Sequence, residues 1–146
     1  MTRIVLAVAA VALAVTAVAA QSDPIAARKA LMKANGDQAK IGAAMAKGEA
    51  PFDAVKAQAI FATFVDAATK APALFPDNSK TGGETAALPA IWENKADFDA
   101  RLTKFGADAK AAQSAVKDLD TFKATWGGLL KDNCGGCHEK YRLKKN

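Results

Sequence analysis

The sequence predicts an all-α chain folded as an antiparallel up-down-up-down four-helix bundle, and three observations predict it. Alanine and lysine dominate a 146-residue chain whose apolar residues recur at helical spacing. Glycine and proline punctuate that pattern and leave four long segments, at about residues 24–47, 52–71, 93–117 and 120–143. No stretch reads as a strand, and no internal repeat is present.

The N-terminus precedes the bundle and reads differently. Arg3 supplies a positive charge, Ile4 to Val15 is apolar and uncharged, and the small residues Ala17, Val18, Ala19 and Ala20 follow. This is the pattern of a cleaved signal peptide over residues 1–20, with cleavage before Ala20 or Gln21. A membrane anchor is the competing reading, because the uncharged run approaches bilayer-spanning length. The abrupt change to Ser22-Asp23-Pro24 favours removal, export to the periplasm and no stable membrane insertion afterwards. Residues 21–146 then form a single domain, long enough for one core. Removal takes only Arg3 from a formal charge of +5, and the remaining lysines are mostly interleaved with acidic residues. Such a surface lacks the basic stripe of a nucleic-acid binder. The exception is the C-terminus, where Lys140, Arg142, Lys144 and Lys145 cluster.

Each helix has its own signals. The first opens at Asp23-Pro24, an N-cap residue followed by proline at the first helical position. Gly48-Glu49-Ala50-Pro51 is a short break, so the first two helices should pair antiparallel. Pro72, Pro76, Gly82, Gly83 and Pro89 mark a long loop before the third helix. That helix carries the stripe Phe98, Leu102, Phe105, Ala109, Ala112 and Val116, with Lys104, Asp108 and Lys110 off it. Asp118 or Asp120 can cap the fourth, whose stripe is Phe122, Trp126, Leu130, Cys134, Cys137 and Tyr141. Gly127-Gly128 and Gly135-Gly136 weaken this last helix. Either it ends near Leu130, or these glycines let backbone approach a flat ligand closely.

The chemistry of the chain is concentrated in Cys134-Gly135-Gly136-Cys137-His138. This is C-x-x-C-H, the sequence at which haem is attached to c-type cytochromes, and it uses both cysteines and the single histidine. Two thiols one turn apart can form thioethers to the haem vinyl groups, and the adjacent imidazole can bind the iron. A thioredoxin-like couple would need a βαβ setting that is missing here. A structural zinc site would need a fourth ligand. A surface disulfide beside a solvated histidine leaves the coincidence of all three residues unexplained. The expected cofactor is therefore one covalently bound haem c, with its iron held by His138.

A haem motif at the C-terminal end of four helices resembles the class II cytochromes c, the cytochrome c′ and cytochrome c-556 family. The similarity extends along the mature chain, through Arg28-Lys29-Ala30-Leu31-Met32-Lys33, Lys47-Gly48-Glu49-Ala50-Pro51-Phe52, Ala73-Leu74-Phe75-Pro76 and Pro89-Ala90-Ile91-Trp92. It is strongest over Cys134 to Arg142. The resemblance implies that Cys134 and Cys137 carry the thioethers and that His138 is the proximal ligand. It also implies that Arg28 lies by the haem propionates and Arg142 near the proximal haem face. Met32 falls where the family divides. In its low-spin members a methionine here binds the iron as sixth ligand, whereas in cytochrome c′ the residue here packs over an open face. A core methionine is the third reading; Met45, farther along the helix, reads as core, and Leu31 and Ile41 are expected in the core beside Met32.

The functional expectation is a periplasmic single-haem electron carrier, not an enzyme, that docks a periplasmic redox protein through the basic C-terminal cluster. The resemblance also implies homodimers among family members. The alternative is a five-coordinate cytochrome c′ that binds nitric oxide or carbon monoxide. A haem peroxidase lacks the second histidine that would serve as its distal acid and base.

Overall fold

The computed structural model describes residues 23–144; the segment 1–20, expected to be a signal peptide, and Lys145 lie outside the described residues. Its elements are α1 (Pro24–Lys47), α2 (Ala54–Lys70), two short 3-10 turns (Ala71–Leu74 and Asp77–Ser79), α3 (Ala90–Glu93), α4 (Lys95–Ala115), α5 (Leu119–Leu129), a π-helical turn (Leu130–Gly135) and α6 (Gly136–Tyr141). The last three run on without a break and make the fourth rod of the bundle. No β-strand occurs among the described residues, only a single antiparallel bridge between Ala87 and Arg142.

Local chemistry sets the helix ends. Asp23 caps α1 by accepting from the Ile25 N–H, and Gly48 closes it at φ 77°, a left-handed conformation that costs glycine little. Asp53 caps α2 through the Lys56 N–H. Of the two aspartates expected at the fourth helix, Asp118 is the cap. It accepts from the Thr121 N–H, and Thr121 reaches back to the Asp118 N–H, completing a capping box. The third segment begins two residues later than expected, because Asn94 leaves helical geometry between α3 and α4.

The rods form a ring in which α1 contacts α2 and α5, and α4 contacts α2 and α5. Its centre is aromatic. Phe61, Phe64 and Phe122 are fully buried and pack with Trp126 and Phe105, joined by Met45, Ile60, Ala109, Ala112 and Val116. Each of these large side chains contributes about 1.5–3 kcal/mol by leaving water. Gly42 of α1 lets the Trp126 indole lie flat against the helix backbone; a Cβ there would overlap the ring. A second cluster sits at the loop end of the bundle and comprises Ala71, Phe75, Ile91, Phe98, Leu102 and Tyr141. Cys134 packs against the first cluster and Cys137 against the second. The C-x-x-C-H motif therefore spans the gap between them.

One expected core position differs. Ile41 is 44% exposed and faces solvent, while Leu31 packs on the second cluster. Leu130 is half-buried and packs against the first cluster, and its neighbour Leu129 is the more deeply buried leucine of the fourth rod. The π turn begins at Leu130; it inserts extra backbone per turn and rotates the residues downstream of it relative to an α-helical stripe.

Candidate cofactor site

The motif lies on the π turn and the first turn of α6. Asn133, just before Cys134, is buried, and its side-chain amide donates to Leu129 O (3.2 Å) and to Asp108 Oδ2 (2.9 Å). Leu129 O is the carbonyl an α-helix would pair with the Asn133 backbone N–H, so the side chain takes part of the acceptor's capacity where the turn widens. One consequence is that adjacent residues, Asn133 and Cys134, both turn toward protein. The helix does not end near Leu130 but runs on through the π turn; Gly127 and Gly128 lie exposed on α5, away from the motif's cavities, while Gly135 and Gly136 stand between the two cysteines.

Two adjoining cavities flank the motif. One, of about 310 Å³, is lined by Met32, Asn35, Phe64, Leu102, Phe105 and Arg101 together with Cys134, Cys137 and His138. The other, of about 170 Å³, is lined by Arg28, Phe75, Thr85, Phe98 and Tyr141, and shares Met32, Leu102, Cys137, His138 and Arg142 with the first. Together they have the size and apolar character of a cofactor pocket. The walls are apolar, with cationic Arg28, Lys29, Arg101 and Arg142 among the lining residues. Such a lining fits a flat macrocycle with an apolar body and two carboxylates. Two thiols and an imidazole supply the chemistry a haem c site requires.

Cys134 and Cys137 form no disulfide. Burial pushes the Cys134 thiol up to about 11, and burial likewise raises Cys137, so both are neutral S–H groups. Burial, and then the nearby Arg142 charge, lower the pKa of His138, which favours a neutral imidazole with a lone pair for a metal. Among the described residues no group of three or more His, Cys, Asp and Glu side chains comes together to hold a metal ion. The zinc and disulfide readings of the motif gain nothing from the structure.

Met32 is 36% exposed, lies at the wall of both cavities and is not part of either buried cluster. Arg28 is more deeply placed than an exposed charge, at 4% exposure. Its Nη1 donates to Ser79 Oγ (2.9 Å) and Leu74 O (3.2 Å), and its Nη2 to Thr85 Oγ1 (2.8 Å) and Ser79 O (3.0 Å). The guanidinium also stacks over Phe75 at 5.0 Å, and its buried Nε has no partner in the protein. Arg142 is exposed, in extended backbone after α6, and lines both cavities. Lys140 is less free than the basic-cluster expectation supposed: its Nζ donates to Asp97 Oδ2 at 3.0 Å. The sequence reading missed Arg101, Asn35 and Asp97. Arg101 follows Asp97 by one helical turn, a spacing that signals a surface pair but says nothing of the cavity beside it.

Comparison with known proteins agrees with this architecture. A family model described as Cytochrome C′ matches residues 23–142. The chain is 49% identical to cytochrome c′ of Rhodopseudomonas palustris over 144 residues, covering 99% of this chain and 98% of the relative. It is 36% identical to cytochrome c-556 of the same organism over 149 residues, covering 99% of each. The solved structure of cytochrome c′ from Rhodopseudomonas palustris superposes with a TM-score of 0.83 at 52% identity, over 86% of this chain and 100% of that one. A structure of oxidised cytochrome c556 from the same organism gives 0.78 at 35% identity, over 86% and 100%. With four antiparallel rods, a C-terminal C-x-x-C-H and relatives matched along nearly the whole chain, the protein belongs to the cytochrome c′ family, whose members carry covalently attached haem c.

Proposed function

We propose that this protein is a periplasmic carrier of single electrons, not an enzyme, with one haem c that Cys134 and Cys137 would attach and whose iron His138 and Met32 would bind. The bound haem supplies a one-electron iron couple. The chain supplies the rest. Cys134 and Cys137 would hold the haem covalently through thioethers to its vinyl positions. The neutral His138 side chain offers its lone pair. Arg28 and Arg142 are the cations suited to the propionates and to the His138 side of the ring. The apolar walls from Phe64, Leu102 and Phe105 exclude water, which limits reorganisation when charge changes.

The observation that carries the reading is that Met32 and His138 line the same two cavities. Thioether ligation opposite an imidazole raises the potential and leaves no position for a small molecule. The five-coordinate alternative draws on the higher identity to cytochrome c′ (49%) than to cytochrome c-556 (36%). In that case Met32 lines an open face that takes nitric oxide or carbon monoxide.

The two separate cleanly. Protein matured in a periplasmic expression system should retain its haem through acid–acetone extraction. Its spectrum should be low-spin, with a weak sulfur-to-iron band in the far red, and carbon monoxide should bind poorly. Met32→Ala should convert the spectrum toward high spin and admit carbon monoxide. A high-spin wild type that binds carbon monoxide readily, unchanged by Met32→Ala, moves the function to gas binding.

A further inference from the structure

Asp97 and Arg101, neither of which carries a role in the proposed function, form a charge pair beside the motif. Asp97 Oδ2 accepts from Arg101 Nε (2.9 Å), from Lys140 Nζ (3.0 Å) and from the Tyr141 hydroxyl. One carboxylate oxygen thus gathers a donor from α4 and two from α6. The arrangement holds the Asp97 carboxyl far below the usual carboxylate range, mainly through Tyr141 and then Arg101, so the charge persists at every working pH. Arg101 lines the larger cavity together with Cys134, Cys137 and His138. Its Nη1 lies 3.9 Å from where a Cβ on Gly136 would stand, against the backbone between the two cysteines. Arg142 is the only other arginine lining that cavity among the described residues, and it has no carboxylate partner within salt-bridge distance there.

We infer that Arg101 is the cation that sets the reduction potential of the bound cofactor, and that Asp97 sets how much of its charge the cofactor feels. This rests on haem being held at Cys134, Cys137 and His138. When the iron accepts one electron from a redox partner, the site loses one unit of positive charge. A fixed cation nearby therefore favours the reduced form, and a fixed anion favours the oxidised form. The field acts across apolar walls, where screening is weaker than in water. A purely mechanical role, in which Asp97 pins α6 to α4 through Lys140 and Tyr141, predicts something different: Asp97→Asn would loosen that contact, whereas Arg101→Gln, within α4, would leave it and the potential alone.

Reduction potential, measured by spectroelectrochemical titration of haem-loaded protein, distinguishes them by sign. Arg101→Gln should shift the one-electron equilibrium toward the oxidised form by about three- to tenfold, tenfold being ~59 mV. Asp97→Asn should shift it the opposite way, toward the reduced form. Arg101→Lys, which keeps the charge, should stay within about twofold of the parent. Shifts of the same sign in Arg101→Gln and Asp97→Asn, or no shift in Arg101→Gln, overturn the inference. If Arg101→Gln fails to mature, the sign of the Asp97→Asn shift decides alone. Haem lost to acid–acetone from the parent protein would instead overturn the cofactor assignment, a separate result read before any potential is measured.

Discussion

Gly42→Ala is the smallest change expected to disturb this bundle, and its cost comes from one contact. A Cβ at residue 42 would stand 2.1 Å from Trp126 Cη2, 2.5 Å from Cζ2 and 2.6 Å from Cζ3. Carbon atoms in favourable contact lie about 3.5–4.0 Å apart, so the indole must withdraw by more than an ångström. It has nowhere to go. Phe122 stacks on it at 5.0 Å, Phe64 at 6.3 Å, and Phe61 meets its edge at 6.1 Å. The helices must separate instead. Overpacking of this kind costs about 1–3 kcal/mol. Alanine's better helix propensity returns about 0.8–1 kcal/mol. The expected net effect is a loss of up to about 2 kcal/mol, or a fall of up to several degrees in Tm for a domain of this size. Gly127→Ala is the control, because Gly127 is exposed in α5 with nothing within 4 Å of its would-be Cβ. It should gain most of the propensity term. Equilibrium urea unfolding of the haem-loaded variants measures both. A midpoint for Gly42→Ala that rises as far as that of Gly127→Ala would refute the packing argument.

Two further outcomes are expected. Arg28→Ala removes four charge-assisted donations to Leu74 O, Ser79 and Thr85, at a cost of about 2–3 kcal/mol that falls mainly on the loop. Hydrogen exchange should speed at Ser79 N and Leu88 N, which bond to Pro76 O and Tyr141 O; unchanged exchange there would mean the guanidinium does not hold the loop. The second outcome concerns acid. The Asp97 carboxyl is depressed in the folded chain, chiefly by the Tyr141 hydroxyl, and sits near 3.9 when unfolded. Its contribution to stability is thus fully present above about pH 4 and declines as pH falls below that, where the unfolded state binds the proton first. Asp97→Asn should flatten the stability profile below about pH 4 and leave its shape above pH 5 alone. An unaltered acid limb in that variant contradicts the assignment.

How much of this was legible in the sequence depended on whether the signal was local and periodic. The stripe Phe98, Leu102, Phe105, Ala109 and Ala112 is buried because α4 is an uninterrupted α-helix and 3.6-residue spacing holds along it; Val116, its C-cap, is buried as well although its backbone is already extended. In the fourth rod the stripe named Leu130 and passed over the more deeply buried Leu129, because residues three and four after Trp126 share its face and spacing does not choose between them. Nor does spacing announce a π turn held by a side-chain amide at Asn133. Ile41 looked like core by hydropathy, yet it lies on the outer side of α1; one helix seen alone does not say which of its apolar residues the bundle covers. The motif itself needed no structure, because the scarcity of Cys and His left few other uses for it. Arg101 and Asp97 were illegible for the opposite reason. Charged pairs one turn apart are common on helices, and only the position of α6 sets this one beside the cysteines.

The long loop couples the two sides of the site. Arg28 stands one turn before Met32 on α1, and through Leu74, Ser79 and Thr85 it fastens that turn to the segment between α2 and α4. Arg142 stands one turn after His138, and there the backbone bonds Leu88 N to Tyr141 O (3.0 Å) and Leu143 N to Ala86 O (2.8 Å) fasten the other side to the same segment. Trp92 Nε1 adds a tie from α3 to Phe75 O at 3.1 Å. Met32 and His138, the proposed ligands, are thus carried by turns clamped to one strap, although the two residues stand more than a hundred positions apart in sequence. A strap of this kind resists any change in the separation between them. That is the mechanical property a one-electron carrier needs, since a ligand pair that keeps its spacing in both oxidation states lowers the reorganisation that opposes transfer.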